Sequence, residues 1–194
     1  MVDYKSMTTA DSTPRRLTVE EYDKMGEAGI FGPDERVELV EGSLVSYAPP
    51  QEENHAGVVW QFPEVMRGRL GTRVALWTQL PLIISKTTVL EPDVAILRLR
   101  EGGYRHHRPV VADTYAVVEI AKSSLARDRT QKLRLYASAG IPEYWVVEVS
   151  GSQLEMYRQP SGDAYVVKQV VSGSDNVSFE AFPDVVFTVD ELLG

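Results

Sequence analysis

One feature constrains this chain more than any other. The run Tyr115-Ala-Val-Val-Glu-Ile120 is followed by a helical stretch over 127–139 and then by a second run, Tyr144-Trp-Val-Val-Glu-Val149. Almost unbroken apolar runs of this length are what strands buried on both faces need, and alternating half-buried strands do not look like this. Gly140 and Pro142 close the helix between them, since glycine permits the left-handed end and proline cannot continue the turn. A strand, a helix and a strand in this compass predict a right-handed crossover and local parallel pairing. The class expected is therefore α/β. The 194 residues suit one domain with a real core, expected over 17–194.

The remaining patterns fill in around this unit. Residues 1–16 are polar and unpatterned and read as a disordered lead. Thr18-Val-Glu-Glu21 is a capping-box pattern that should open a short helix running to about residue 25. Two short β-prone runs, Arg36-Val-Glu-Leu-Val40 and Ser43-Leu-Val-Ser-Tyr47, flank Glu41-Gly42 and predict a hairpin. From about 53 to 70, Val58, Val59, Phe62, Val65, Met66 and Leu70 recur at three- and four-residue spacing, the mark of an amphipathic helix. Pro63 should kink that helix or mark a start. Strands are expected over 74–77, 80–84 and 93–97, a polar basic loop over 98–114, hairpin-like strands near 153–158 and 164–171, and a short helix over 188–193.

Composition narrows the chemistry. With no cysteine, disulfides, thiolate catalysis and cysteine zinc sites are excluded, and the chain fits a reducing cytoplasm. No apolar run approaches the ~18 residues of a membrane span, and no charged region followed by an apolar core marks a signal peptide. The formal net charge of −8 opposes a broad electrostatic grip on nucleic acid. A local basic strip can still hold a phosphate backbone. Arg98, Arg100, Arg105, His106, His107, Arg108, Arg127, Arg129 and Arg134 form such a strip, or else a solvated surface. The adjacent His106-His107 pair makes a poor metal site, because neighbours point apart.

Three residues stand out against a bland core. Glu119 lies near the end of the first apolar run, on the face of Val117 and Tyr115 if side chains alternate regularly. Buried there, a carboxylate needs a partner or a metal; at an exposed strand end it needs neither. Asp93 opens a strand after Pro92, a position that turn chemistry alone can explain. Lys132 shares one helix face with Leu135, Tyr136 and Ala139, so it leans toward the sheet unless its stem simply lies on the apolar surface with the ammonium in water. Taken together they describe two strands with one acid each and a lysine on the helix that follows. Two carboxylates can hold Mg²⁺ or Mn²⁺ through oxygen ligands, with water in the other positions. Such an ion polarises a phosphoryl oxygen, and a nearby lysine offsets developing charge. Glu38, beside Arg36, is a fourth acid or a surface partner of that arginine. His55, at the start of the long helix, is a phosphate contact or a plain helix-start residue.

The segments Val37-Glu-Leu-Val-Glu-Gly42, Pro49-Pro50 with His55, Glu91-Pro-Asp-Val94, Val118-Glu-Ile120, Asp128 to Lys132 and Tyr136-Ala-Ser-Ala-Gly-Ile-Pro-Glu-Tyr-Trp145 resemble the Uma-two family. That family belongs to the PD-(D/E)XK, or restriction-endonuclease-like, superfamily. The resemblance runs in order from about Leu17 to Leu193. It implies a mixed central β-sheet flanked by helices and a metal-dependent phosphodiesterase site. By position, Asp93 and Glu119 would be the metal-binding acids, Glu38 an outer acid, and the Ile120 carbonyl a further ligand. The lysine usual two residues after the second acid is here Ala121. Lys132, on the next helix, takes its part, or Lys122 does if the strand stops at Ala121. Lys122 and Arg129 join His55 as candidate substrate contacts. The activity implied is a Mg²⁺- or Mn²⁺-dependent endonuclease acting on DNA, with pairing into a homodimer to cut two strands. The alternative is a catalytically silent nucleic-acid-binding or regulatory module of the same fold, which the net charge and the altered Ile120-Ala-Lys-Ser-Ser124 stretch favour.

Overall fold

The structure, a computed structural model, describes residues 13–32, 35–47 and 53–194, with side chains from residue 57 onward in the last segment. The elements in chain order are α1 (Val19–Glu27), β1 (Arg36–Val40), β2 (Ser43–Tyr47), α2 (Glu53–Leu70), β3 (Ala75–Thr78), β4 (Leu82–Ser85), β5 (Thr88–Leu90), β6 (Val94–Leu97) and β7 (Thr114–Ala121). A helical stretch in three parts follows: α3 (Leu125–Arg127), a π-helical turn over Asp128–Lys132, and α4 (Leu133–Ala139). Then come β8 (Glu143–Glu148), β9 (Gln153–Ser161), β10 (Ala164–Ser172), β11 (Asn176–Val177), β12 (Phe187–Thr188) and α5 (Val189–Leu193).

Six strands form the larger sheet in the order β10-β9-β8-β7-β6-β3. Its one parallel pair is β7 with β8, running from Ala116 opposite Glu143 to Ala121 opposite Glu148. The other pairs are antiparallel, so the sheet is mixed, with the crossover at its centre. The smaller sheet, β2-β1-β5-β4, is wholly antiparallel. The described part of the expected lead is not without contacts: Arg15 pairs with Glu21 and Arg16 bonds the Glu41 carbonyl, while just after it the Leu17 N–H donates to the Gly42 carbonyl at 2.9 Å. The expected lead over 1–12 and Pro49-Pro50 lie outside the described residues.

Side-chain alternation along the central strands feeds two cores. Val94, Ile96, Ala116, Val118, Ile120, Trp145 and Val147 pack with Phe62 and Met66 of α2 and with Leu192 of α5. Ala95, Leu97, Val117, Ala121, Tyr144 and Val146 pack with Leu135 and Tyr136 of α4 and with Val40, Leu82 and Leu90 of the smaller sheet. Burying this apolar area, worth ~25 cal/mol per Å², is what holds the layers together. Among the described residues no helix is long and apolar enough to cross a membrane.

Several expectations met the structure at altered boundaries. The Thr18 capping box is present, with the Glu21 N–H donating to the Thr18 hydroxyl. Pro63 lies within α2, so the helix runs through it. β5 was not expected, because three residues carry too little pattern to register. Tyr115 does not share a face with Glu119. Between Ile96 and Leu97 the pairing with β7 slips from Ala116 to Thr114, and this bulge turns Tyr115 onto the opposite layer, where its ring meets Phe182 at 5.1 Å.

Candidate active site

The site is assembled at the C-terminal end of β7. Glu119 is on the face of Val117 and Ala121, beneath the π turn and α4, and is 3% exposed. Both of its described hydrogen bonds reach one oxygen. Lys132 Nζ donates to Glu119 Oε1 at 2.7 Å, and the Tyr136 hydroxyl donates to the same atom at 2.7 Å. Lys132 and Tyr136 are four residues apart, the spacing that puts side chains over one another on a helix. Lys132 is equally buried, and its Nζ lies 3.5 Å from Glu38 Oε1. Glu38 reaches this point from β1, where Val37 and Leu39 face the opposite way, toward Tyr22. Its Oε1 also accepts the Glu91 N–H at 2.8 Å.

Asp93 stands one residue ahead of β6. Extending the register by one step from the Val94–Val118 pair sets it opposite Glu119, and directly opposed residues of an antiparallel pair share a face. Its Oδ2 accepts the Ile120 N–H at 2.8 Å, and its Oδ1 accepts from Gln79 Nε2 at 3.3 Å. Gln79 itself is held at φ 49°, with its N–H directed at the Pro92 and Asp93 carbonyls.

Asp128 completes the acidic set. It is 1% exposed, and its Oδ1 has no hydrogen-bond partner among the described residues; Glu38 Oε2 is in the same condition. The π turn that carries it is the kind of irregularity often found at functional sites. Asp128 was quoted above only as part of a family segment. Its signal was its spacing, four residues before Lys132, which would have put it on the inward face.

The electrostatics follow from burial. Loss of water pushes the Glu119 carboxyl up to about 8; Lys132 pulls it back down, while Asp128 and Asp93 repel its charge and raise it further. Burial also raises the Asp128 carboxyl, against the pull of Lys132. Burial works against the Lys132 charge too, but Glu119, Glu38 and Asp128 outweigh it and hold the ammonium above its ordinary value.

The other candidates separate. The strand ends at Ala121, and the lysine bonded to Glu119 is Lys132. Lys122 is half-buried one residue past the strand. Arg129 is committed within the chain, to Glu148 at 2.5 Å and Glu155 at 2.9 Å. Arg134 pairs with Glu41 at 2.7 Å, Arg108 pairs with Asp23, and Arg98 bonds the Ala112 carbonyl at 3.2 Å. Arg100, Arg105, His106 and His107 are exposed. The His55 backbone lies in the first turn of α2, and its side chain is outside the described residues.

The donor set suits a hard divalent cation. Among the described residues the carboxyls of Glu38, Asp93, Glu119 and Asp128 face two cationic side chains, Lys132 and Arg127, so with all four ionised the cluster carries two more negative charges than positive. Two buried carboxylate oxygens, one on Glu38 and one on Asp128, lack donors, and oxygen is the ligand atom Mg²⁺ and Mn²⁺ prefer. Among the described residues no group of three or more His, Cys, Asp or Glu side chains is placed to hold a metal ion by itself.

The comparisons bear on the same residues. The family described as Uma2, "Putative restriction endonuclease", matches residues 19–190, a span that contains all the acids of the site. The chain belongs to the Uma2 family. Among solved structures, it is similar to the crystal structure of a "putative nuclease belonging to DUF820" from Anabaena variabilis. The TM-score is 0.72 at 15% identity, over 91% of this chain and 97% of that one; this likeness shows a shared fold. No curated protein matches the chain. The mixed α and β architecture expected of a restriction-endonuclease-like protein is thus the architecture observed.

Proposed function

We propose that this chain is a Mg²⁺- or Mn²⁺-dependent endonuclease that hydrolyses phosphodiester bonds of DNA. One observation carries the reading: Glu119 and Lys132, each nearly sealed from water, meet at 2.7 Å beside Asp93, in a cluster with more carboxylates than cations. A buried ion pair is costly to maintain, and a buried acid shifted beside a specific charge partner is a candidate functional group. Membership of the family described as "Putative restriction endonuclease" supports a nucleic-acid substrate.

In this reading Asp93, Glu119 and the Ile120 carbonyl would hold the ion. It would supply Lewis-acid polarisation of a phosphoryl oxygen. The chain's own groups do the rest. Lys132 keeps a fixed positive charge where the phosphodiester gains negative charge, and it needs little reorganisation because Glu119 and Glu38 already hold it. Tyr136 fixes the Glu119 rotamer by occupying Oε1. The Ile120 N–H and Gln79 orient Asp93 from two sides. Glu38 is the outer acid that restrains Lys132. His55 and Lys122 would contact the substrate, and the ion pairs of Arg129 would have to open for it to join them. The protein would act in the cytoplasm, as one domain over 17–194, and as a homodimer, with one centre for each strand.

The test is incubation of plasmid DNA with Mn²⁺ and the parent chain, beside Asp93→Ala and Glu119→Ala. Nicking or linearisation by the parent alone is expected. Equal residual cleavage by all three proteins would mean contamination and defeat the proposal.

A further inference from the structure

We infer that Arg127 is the side chain that receives a substrate phosphate at this site, an assignment that rests on the nuclease reading and extends it. The basic strip from Arg98 to Arg134 has many members, and the structure sorts them. Arg108, Arg129 and Arg134 are spent on carboxylates of the chain, and Arg98 on a main-chain carbonyl. Arg127 differs. Among the described residues its guanidinium makes no hydrogen bond, although its side chain is only 29% exposed. The nearest carboxylate oxygen, Asp128 Oδ1, is 3.7 Å from Nε, beyond hydrogen-bond reach. Both of these atoms are buried with no hydrogen-bond partner among the described residues.

What holds Arg127 is a ring. Its guanidinium carbon lies 3.8 Å from the centroid of Tyr47 at the end of β2. Stacking fixes the plane of a guanidinium while leaving its N–H donors unused. Burial opposes the charge, but Tyr47, Asp128, Glu38 and Glu119 sustain it, so the group belongs to the acid cluster without being neutralised by any one member. A buried N–H such as that on Nε, without an acceptor among the described residues, is costly to keep. A planar fork of N–H groups beside a centre for phosphodiester hydrolysis matches two oxygens of a phosphate. Arg127 thus binds the substrate backbone and carries no base selectivity.

The test uses the full chain and a fluorescein-labelled DNA duplex of mixed sequence, followed by fluorescence anisotropy with Ca²⁺ in place of Mg²⁺ to limit turnover. Arg127→Ala should raise Kd about tenfold and flatten the dependence of log Kd on log salt by about one. Arg127→Lys, which keeps the charge but not the fork, should fall between. Arg73→Ala, which removes an equal charge from the exposed pair with Asp184, should stay within about twofold. Thermal melting of each variant separates folding from binding. An Arg127→Ala protein that melts earlier yet binds the duplex like the parent would make Arg127 a counter-ion of the acids only and overturn the assignment. No binding by the parent would overturn the nuclease reading itself, and this assignment with it.

Discussion

At the scale of single residues, the chemistry rests on charges that burial makes consequential. Lys132 is the ammonium shared by Glu119 and Glu38. Replacing it with methionine removes the cation that both buried acids face, which should cost about 3–5 kcal/mol in urea denaturation above about pH 8, where Glu119 is ionised. Adding Glu119→Gln to that variant should recover a large part of the loss, since the pair would then be absent rather than broken. Equal stabilities for the single and double variants would contradict the coupling. Glu119 also sets a pH dependence. Its folded value of about 8 lies above the ordinary carboxylate value near 4.3 that it recovers on unfolding. The native state therefore holds the proton more tightly than the unfolded chain does. That contribution is fully present in acid and is lost as pH rises toward 8. The parent should lose stability relative to Glu119→Gln between about pH 5 and 8, read from midpoints of denaturant unfolding. A constant difference across that range would place the Glu119 proton elsewhere. Glu119 was legible in the sequence because it interrupts an apolar run, and Asp93 and Lys132 became legible only in combination with it. Asp128 and Gln79 were not. A helix interior tolerates an outward Asp, and Gln79 reaches Asp93 only through the pairing of β3 with β6, which sets Thr78 opposite Val94.

At the scale of elements, each site residue is delivered by a short, well-specified unit. β7 brings Glu119, the π turn brings Asp128 and Lys132, and the β1–β2 hairpin brings Glu38 and Tyr47. The hairpin depends on its turn. Glu41 and Gly42 both adopt left-handed backbone, with φ of 49° and 80°, as a two-residue turn matched to strand twist requires. A Cβ on Gly42 would lie 2.6 Å from Arg16 Cβ and 2.9 Å from Arg16 Cα, so it meets backbone as well as side chain. Gly42→Ala should cost about 1–3 kcal/mol, measured by thermal or urea unfolding. Because Glu38 rides on the same hairpin, the variant should also impair cleavage more than its stability loss accounts for. Full activity would mean that the hairpin does not position the site. The hairpin, the capping box and the central strands were readable from turn residues and period. The bulge that turns Tyr115 away was not, because it comes from a slip in pairing with β6 that no property of 115–120 announces.

At the scale of the whole molecule, charge and layering decide how a substrate is met. The chain carries a net charge of −8, and most of its arginines with a described partner are tied to carboxylates within the fold. Few cations are left for phosphates. Duplex affinity should therefore depend only modestly on salt, with log K against log salt sloping about −2 to −3, where a strongly basic repressor reaches about −10. A slope steeper than about −6 would require a phosphate-binding surface beyond Arg127 and the exposed loop residues. The same scale shows where sequence and structure divide. By itself the sequence determined the βαβ centre, the order of most elements and the unusual acids, because apolar period, caps and turn residues are local properties that sterics and burial translate directly. Packing alone settled which lysine meets Glu119, brought Asp128 and Gln79 to the site, and set Arg127 with Asp128 Oδ1 3.7 Å from its Nε, beyond hydrogen-bond reach. Those outcomes depend on distances between strands and helices far apart in the chain, and a charge becomes costly, paired or idle only once packing has removed the water around it.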